Sequence, residues 1–350
     1  MNYQSCSRTC IISLLFLSFI SLNISAQNFN CKIEGKIIAQ SGGNPLENVN
    51  VYVSGTTFGT TTDKSGYFRF KSLPSGTLNI IASMVGYKPA HIEVILEEDK
   101  TKELNFNLKE ISYKLNNVVV TGKVPEEWKE NLEEFKNIFF GDSPFASDCK
   151  IINPEIINLT KTDSGLIAEA DQPIIIINND LGYKITCNLI NFNWKKKDGV
   201  LKYLIESYFK ELKDSTGNLT SNWLRNRKKA YYGSLDNFMK SLIEDDLEED
   251  NFRIFCEKKP SLKTAFQEEV GKSDICSTIK NGFNLSINDY LRIQYYSEYE
   301  DVTEISWISL QNPNEKLDEF GYPLDPFAFN VYGYWSHKGI ANMLPKYYYP

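Results

Sequence analysis

Histidine is the rarest chemistry-bearing residue of the chain, with only His91 and His337 among 350 residues. A zinc peptidase needs two or three protein ligands at fixed spacing, usually with a glutamate as general base. Neither H-E-x-x-H nor H-x-x-E occurs in the sequence. We therefore assign no catalytic residue, no metal ligand, no cofactor-binding residue and no cofactor.

Cysteine is also sparse, and no C-x-x-C pair is present. The number of cysteines after residue 26 is odd, so at least one must stay outside any intramolecular disulfide. One or two disulfides are compatible with an oxidising compartment, but the sequence does not say which cysteines pair. Buried free thiols are the alternative. These cysteines are Cys31, Cys149, Cys187, Cys256 and Cys276.

The sequence lacks a long hydrophobic run of the ~20 residues that span a membrane as a helix. Residues 11–22 form a shorter apolar stretch, preceded by Arg8 and followed by the small residues Ser25 and Ala26. This pattern predicts a signal peptide of residues 1–26. A retained anchor is the alternative, and Cys31 matches a lipoprotein site poorly. We expect an exported protein that is periplasmic, outer-membrane associated or secreted, and not transmembrane after cleavage.

An excess of positive charge is missing as well, because the formal net charge is −7. Nucleic acid is therefore not expected as a partner, since binding it requires neutralising phosphates with Lys and Arg. The hydrophobic fraction of 42% is sufficient for packed cores in one large or two ordinary domains. The 20 Tyr and 21 Phe favour β-rich structure.

Residues 31–110 carry the pattern of short strands joined by tight turns. Val49, Val51 and Val53 alternate with polar residues, as in a half-buried strand, and Phe68 and Phe70 share one face of another. The segment shows no helical periodicity, so it predicts a small antiparallel sandwich. The predicted turn residues are Asp63, Gly66, Pro74, Gly76 and Gly86.

The same segment resembles the carboxypeptidase regulatory-like domain, a transthyretin-like Greek-key sandwich of seven strands. The resemblance implies an accessory or interaction module, and with two histidines in the chain it does not imply metallocarboxypeptidase activity. The residues that carry it include Gly35, Asn44, Pro45, Leu46, Gly55, Thr56, Gly59, Thr60, Thr62, Asp63, Gly66, Tyr67, Phe68, Leu73, Pro74, Gly76, Gly86 and Tyr87.

Residues 111–124 are expected to form an extended strand or linker. Within them, residues 115–122 resemble the short strand that follows this domain in starch-utilisation-type outer-membrane transporters. That resemblance implies docking to an envelope partner by strand addition. A final edge strand or a plain linker is the alternative. The candidate strand-addition residues are Val118, Val119, Val120 and Thr121.

Residues 125–350 are predicted as one α+β or mostly-β domain with one or two helices. Residues 126–140 have helical spacing, a second helix is expected over about 221–248, and Gly233 weakens it. The basic residues 225–229 are expected on a solvated helix face. The region resembles exported proteins that are named only for their N-terminal regulatory-like domain, on phrases such as Gly333-Tyr334-Trp335-Ser336, and this resemblance implies no chemistry.

Three motifs in this region have both a functional and a structural interpretation. Gly141-Asp142-Ser143 resembles a lipase-type nucleophile motif but has no suitably spaced histidine, and a helix end is favoured. The acidic residues 244–250 favour a solvated helix end over a calcium site or glycosidase dyad. Residues 347–349 with Trp335 form either a sugar-stacking platform or a tail packed on the core.

These observations lead to a hypothesis of a non-enzymatic exported cell-envelope protein. Its sandwich is an accessory or interaction module, and its second domain binds an unknown envelope protein or a glycan. One alternative is an enzyme in residues 125–350, such as a carboxylate-dependent glycan hydrolase. A further alternative is a docking partner of an outer-membrane nutrient transporter through strand addition at 118–121.

Overall fold

The computed structural model of the protein describes residues 29–111, 125–197, 199–262 and 269–350. The predicted signal peptide and the candidate strand Val118 to Thr121 lie outside these residues. Among the described residues, no helix combines the length and the apolar character needed to cross a membrane.

The N-terminal part is a β-sandwich. Its strands are β1 (Cys31–Ala39), β2 (Asn50–Val53), β3 (Gly59–Thr61), β4 (Tyr67–Leu73), β5 (Gly76–Ser83), β6 (Ala90–Leu96), β7 (Thr101–Glu103) and β8 (Phe106–Leu108). One sheet has the order β4-β1-β7, with β8 also pairing with β1, and the other has the order β3-β2-β5-β6. The predicted alternation is confirmed, because Val49, Val51 and Val53 are almost fully buried in the core between the sheets.

Two pairings differ from the antiparallel prediction. β7 and β8 both run parallel to β1, with Glu34 opposite Glu103 and Ile37 opposite Phe106. They pair with β1 in succession and act as one interrupted strand, which gives the sandwich seven strand positions. The chain crosses from one sheet to the other after β6 and therefore enters beside β1 in the same direction. Alternation of side chains does not encode that direction.

A six-stranded sheet follows, with the order β10-β11-β13-β12-β9 and β14 paired with β13. Its inner face packs against helix α1 (Glu126–Phe140), whose bounds agree with the predicted helix. Phe135 lies at the centre of this core, with its ring 4.8 Å from that of Phe192. The strands are β9 (Cys149–Ile151), β10 (Ile157–Thr162), β11 (Gly165–Ala170), β12 (Ile174–Asn178), β13 (Tyr183–Lys195) and β14 (Val200–Glu211).

The second predicted helix is two helices in the structure, α2 (Ser221–Tyr231) and α3 (Leu235–Glu244). Gly233 separates them with a φ of 76°, and Thr220 and Ser234 cap them by accepting hydrogen bonds from Trp223 N and Asn237 N. A short helix α4 (Lys272–Ile275) follows. The described residues therefore contain four α-helices rather than the one or two expected, within a mostly-β chain.

Helix α3 packs on a second core in the C-terminal half, through Phe238 and Leu242. This core lies against a five-stranded sheet, β16-β15-β19-β20-β22, and a three-stranded sheet, β17-β18-β21. The strands are β15 (Phe252–Glu257), β16 (Glu269–Val270), β17 (Cys276–Ile279), β18 (Gly282–Ser286), β19 (Tyr290–Ser297), β20 (Val302–Leu310), β21 (Asn314–Leu317) and β22 (Phe329–Gly333).

Candidate functional site

The outer face of the sandwich is covered by the rest of the chain. Tyr52 on β2 lies directly opposite Ile81 on β5, and both point away from the sandwich core. Their exposed fractions are nevertheless 1% and 0%. Two large side chains on an outer sheet face stay buried only if another part of the protein packs over them.

The covering surface is the outer face of β13 and β14. Asn188 Nδ2 donates a hydrogen bond of 2.8 Å to the Tyr52 hydroxyl, and the rings of Tyr52 and Tyr208 stack with their centroids 5.3 Å apart. Asn79 Nδ2 donates to Glu206 Oε1 over 3.1 Å. Asn188 on β13 lies directly opposite Glu206 on β14, so both of these hydrogen bonds to the sandwich come from the same cross-strand pair of the sheet.

We call this contact between the sandwich and the outer face of β13 and β14 the joint. The loop between β2 and β3 adds backbone hydrogen bonds to it. Gly55 N donates to Ser207 O over 2.6 Å, and Phe209 N donates to Thr56 O over 2.9 Å. Strand β14 pairs with β13 on its other side, so the loop occupies part of its open edge. Gly59 lies so close to Tyr208 that a Cβ there would be 2.6 Å from the ring.

The C-terminal tail packs against the same loop. Lys346 N donates to Gly55 O over 2.7 Å. The ring of Tyr347 lies among four other aromatic rings, with the nearest centroid 4.8 Å away. The tail is therefore packed on the core, as the structural interpretation of residues 347–349 expected. The four surrounding rings belong to Phe29, Phe58, Phe320 and Tyr322.

Beside the joint, the two surfaces separate and leave a cleft of about 570 Å³. The sandwich contributes one wall and the outer face of the six-stranded sheet contributes the other. The sandwich wall consists of Asn50, Val51, Tyr52, Gly59, Thr60, Thr61, Ser83, Met84, Val85, Tyr87 and Pro89, and the sheet wall of Asn153, Asp171, Gln172, Pro173, Ile175, Lys184, Thr186, Tyr208 and Lys210.

The lining is rich in neutral polar groups and contains aromatic rings. Amides and hydroxyls come from both walls, Tyr87 and Tyr208 add rings, and Asp171 is the only carboxylate among the described lining residues. A glycosidase needs two carboxylates across the scissile bond, and these lining residues do not supply a pair. The arrangement can hydrogen-bond a hydroxyl-rich ligand and stack against its rings.

The predicted turn residues lie in the turns of the sandwich. Asp63 Oδ1 accepts hydrogen bonds from Ser65 N at 2.8 Å and Tyr67 N at 3.0 Å. The hydrogen bonds from Ser65 and Tyr67 lower the pKa of this carboxyl. Gly66, Gly76 and Gly86 have φ of 73°, 97° and 88°, and Pro74 follows the end of β4. These residues shape the sandwich, and none of them lines the cleft.

The five cysteines form no disulfide with one another in the structure. Cys256 is exposed, and the other four are buried, as the free-thiol alternative has it. Burial raises the pKa of the Cys149 thiol to about 12, which makes it unreactive near neutral pH. Within the part of the chain that the structure describes, no group of three or more His, Cys, Asp or Glu is placed to hold a metal.

The motif Gly141-Asp142-Ser143 lies at the end of a helix. Gly141 follows the last residue of α1, and its N–H donates to Asn137 O. The acidic segment begins where α3 ends, and Asp245 takes a left-handed conformation as its C-cap. Asp250 accepts hydrogen bonds from Ser241 Oγ and Asn237 Nδ2.

The cleft residues were not identified from the sequence. The sequence does show that Lys184 and Thr186 on β13 alternate with Ile185 and Cys187, which are buried in the structure. This alternation indicates an outer face but does not say what lies opposite it.

A family comparison agrees with the sandwich geometry. Residues 33–120 match the model of the CarboxypepD_reg-like domain. The N-terminal sandwich is a carboxypeptidase regulatory-like domain. Residues 118–120 of the candidate strand fall within this match, whereas the cleft takes only one of its walls from the regulatory-like domain.

Two receptors share sequence with part of the chain. The TonB-dependent receptor SusC of Bacteroides thetaiotaomicron is 33% identical over 111 residues, and the TonB-dependent receptor P39 of Formosa agariphila is 33% identical over 112 residues. Each match covers 32% of this chain and 10% of the receptor. The chain therefore spans about a tenth of the length of these relatives.

Solved structures show only distant similarity. A putative carbohydrate binding protein from Bacteroides uniformis is 10% identical, with 51% of this chain and 79% of that chain covered and a TM-score of 0.20. The major pilin subunit of Bacillus cereus is 11% identical, with 82% and 95% covered and a TM-score of 0.21. Similarity at this level supports no argument about fold or function.

Proposed function

We propose that the protein is a non-enzymatic, exported envelope protein that binds a glycan in the cleft between its regulatory-like domain and the six-stranded sheet. The observation that carries the proposal is the composition of the cleft, in which amides, hydroxyls and tyrosine rings face each other across about 570 Å³. Pockets of this size are typical of small-ligand sites. The regulatory-like domain acts as an interaction module because it supplies one wall.

Export and an envelope location are part of the same proposal. Arg8, the apolar residues 11–22 and the small residues before position 27 support a cleaved signal peptide. The relatives that share the regulatory-like segment are TonB-dependent receptors, which supports association with the cell envelope.

A glycan array with the purified mature protein tests the binding proposal. Wild type is expected to bind a defined set of oligosaccharides, and Tyr87→Ala, which removes a ring from the sandwich wall, is expected to weaken binding at least fivefold. Tyr296→Ala removes a tyrosine that is 44% exposed and lies outside the cleft lining, so it serves as the control. Equal binding by wild type and Tyr87→Ala would exclude the cleft as the site.

The non-enzymatic part of the proposal needs its own assay. The mature protein is incubated with peptide, ester and glycoside substrates, and the expected result is no turnover above buffer. Robust hydrolysis that survives repurification would overturn this part and favour the alternative of a carboxylate-dependent hydrolase in residues 125–350.

A second candidate function is docking to an envelope transporter by strand addition at Val118 to Thr121. It is favoured by the similarity to TonB-dependent receptors and by a family match that extends to residue 120. Proline cannot donate a hydrogen bond to a sheet ladder, so Val119→Pro is expected to abolish capture of the partner from envelope extracts. Unchanged capture by Val119→Pro would dismiss this candidate.

A further inference from the structure

We propose that the cleft selects an anionic glycan, one that carries carboxylate or sulfate groups, and that Lys184 and Lys210 bind those groups. The inference rests on the proposed glycan binding and names the class of glycan.

The two lysines form a cross-strand pair of like charge. Lys184 on β13 lies directly opposite Lys210 on β14, in the row next to the one that holds Thr186 and Tyr208. Directly opposite residues on antiparallel strands have Cβ atoms roughly 5 Å apart, and like charges in this arrangement are destabilising. Both side chains are exposed to the cleft side of the sheet. The repulsion between the two lysines therefore slightly destabilises the unliganded protein.

Neither lysine is neutralised by a carboxylate of the described residues. Lys161, Lys213 and Lys240 each form an ion pair with a glutamate. By contrast, Lys184 and Lys210 form no ion pair with any residue that the structure describes. Glu206 lies two rows away on the same face, and its Oε1 accepts from Asn79 Nδ2 and lies 3.5 Å from His91 Nδ1. Its buried Oε2 has no hydrogen-bond partner among the described residues, so no contact joins Glu206 to either lysine.

The cleft is positive in a chain that is otherwise negative. Its described lining carries two lysines and one aspartate, a formal charge of +1, whereas the whole chain carries −7. Walls of low dielectric constant concentrate the field of such charges inside a cleft. An anionic group that enters between Lys184 and Lys210 relieves their repulsion and gains two charge-assisted hydrogen bonds.

The opposite wall favours a sugar over an acidic peptide. Asn50, Thr61 and Ser83, which lie on the outer face of the sandwich, present amide and hydroxyl groups across the cleft from the lysines. Sugar hydroxyls pair with such groups along the whole ligand, while the tyrosine rings stack on sugar faces. An acidic peptide would use the lysines but would leave most of these neutral groups without partners.

Calorimetric titration of the full mature chain with matched probes tests the inference. The first pair is oligogalacturonate and its methyl ester, and the second pair is a sulfated dextran oligosaccharide and unsulfated dextran. Oligoglutamate is the peptide probe. At least one anionic sugar is expected to bind ten times more tightly than its neutral partner, and which pair shows the difference distinguishes carboxylate from sulfate.

Single substitutions of Lys184 and Lys210 test whether these two lysines cause the selectivity for anionic sugars. Lys184→Gln and Lys210→Gln are each expected to weaken binding of the anionic sugar about tenfold, equivalent to about 1.4 kcal/mol. Binding of the neutral partner is expected to change less than twofold. Lys202→Gln is the control, because Lys202 is an exposed lysine on β14 outside the cleft lining. The melting temperature of both cleft variants should stay the same or rise, since a repulsion is removed.

The outcomes separate this inference from the proposed function. Equal binding of an anionic sugar and its neutral partner would overturn the anion selectivity and leave glycan binding intact. Tight binding of oligoglutamate without binding of any sugar would overturn both and assign the cleft to an acidic peptide. Loss of sugar binding in Lys202→Gln as large as in Lys184→Gln would contradict the role of the pair.

Discussion

Arg227 is the largest of the fully buried side chains, although it is a charged residue in a basic stretch of the sequence. Its Nε donates to Leu181 O over 2.8 Å, and its Nη1 donates to Glu211 Oε1 over 2.7 Å. The guanidinium carbon lies 3.9 Å from the centre of the Tyr183 ring. The expectation of a solvated face for residues 225–229 is therefore wrong for Arg227, because its planar fork fits the backbone carbonyls beside β13.

Replacing Arg227 tests how much these hydrogen bonds between α2 and the six-stranded sheet stabilise the protein. Arg227→Gln removes the hydrogen bonds that the guanidinium donates to Leu181 O, Gly182 O and Glu211 Oε1, so we expect a loss of about 3 kcal/mol in the free energy of unfolding. Urea denaturation measures it. Arg225→Gln is the matched control on the same helix, because Arg225 is exposed, and a loss of the same size there would refute the assignment.

Asp63 makes the stability of the sandwich depend on pH in the acidic range. Hydrogen bonds from Ser65 and Tyr67 lower its pKa below the ordinary value of 3.8. A carboxyl whose pKa is lower in the folded state contributes stability above its unfolded pKa and loses it as the pH falls through the folded pKa. We expect Asp63→Asn to lower the melting temperature at pH 7, and we expect the difference from wild type to close as the pH falls below 3.8 and through the lowered pKa of Asp63.

The control for Asp63 is another aspartate of the sandwich. Asp99 is exposed, also lies in a turn, and its side chain accepts no hydrogen bond from a described residue. Asp99→Asn should therefore change the melting temperature little at pH 7. A gap between wild type and Asp63→Asn that persists at pH 2 would show that the turn hydrogen bonds do not depend on the charge.

Among the elements, β3 and the loop that precedes it contact the six-stranded sheet through Gly59 and Gly55. Gly59→Ala would place a methyl group 2.6 Å from the Tyr208 ring, which is held in place by stacking on Tyr52. Such overpacking costs about 1–3 kcal/mol. We expect a loss in this range in urea denaturation, and a much smaller loss from Gly59→Ala in the Tyr208→Ala background, because the clash is then absent.

A matched glycine separates this clash from the general effect of adding a methyl group. A Cβ on Gly271 would find its nearest atom at 3.8 Å, and the backbone there has a φ of −105°. Gly271→Ala should change stability by less than about 0.5 kcal/mol, the usual range for an unobstructed surface site. Equal losses from Gly59→Ala in both Tyr208 backgrounds would contradict the close approach.

The sequence predicted elements with strong periodicity and missed those without it. Helix α1 was predicted because Leu132, Phe135 and Phe139 repeat at helical spacing. Strands β17, β18 and β21 were not, because they are short and mix polar and apolar residues. The cleft could not be predicted, because it depends on how two outer faces meet, and outer faces carry only polar alternation.

At the scale of the molecule, the tail connects both parts of the chain to the same loop. Tyr347 contacts Phe29 and Phe58 of the sandwich side and Phe320 and Tyr322 of the C-terminal half. We expect Tyr347→Ala to cost about 2–4 kcal/mol, since a packed aromatic ring is lost. We also expect wild type to unfold in a single transition and Tyr347→Ala to unfold in two, with the sandwich unfolding independently. Differential scanning calorimetry measures both effects.

An exposed tyrosine gives the comparison for this variant. Tyr299 is 57% exposed, and its ring lies 6.2 Å from that of Tyr232, so Tyr299→Ala should leave one transition with a small decrease in melting temperature. A single transition in Tyr347→Ala as well would mean that the loop and the β14 edge hold the domains together without the tail.

The contact between Gly55 and Lys346 has a consequence for the order of folding. The pairings of the sandwich all lie within residues 31–108, whereas this contact joins segments separated by nearly all of the described chain. Contacts of such long range form late, because a long loop must close first. We therefore expect this contact to form in a late step of folding, and a chain arrested before that step would contain a folded regulatory-like domain with the tail still undocked.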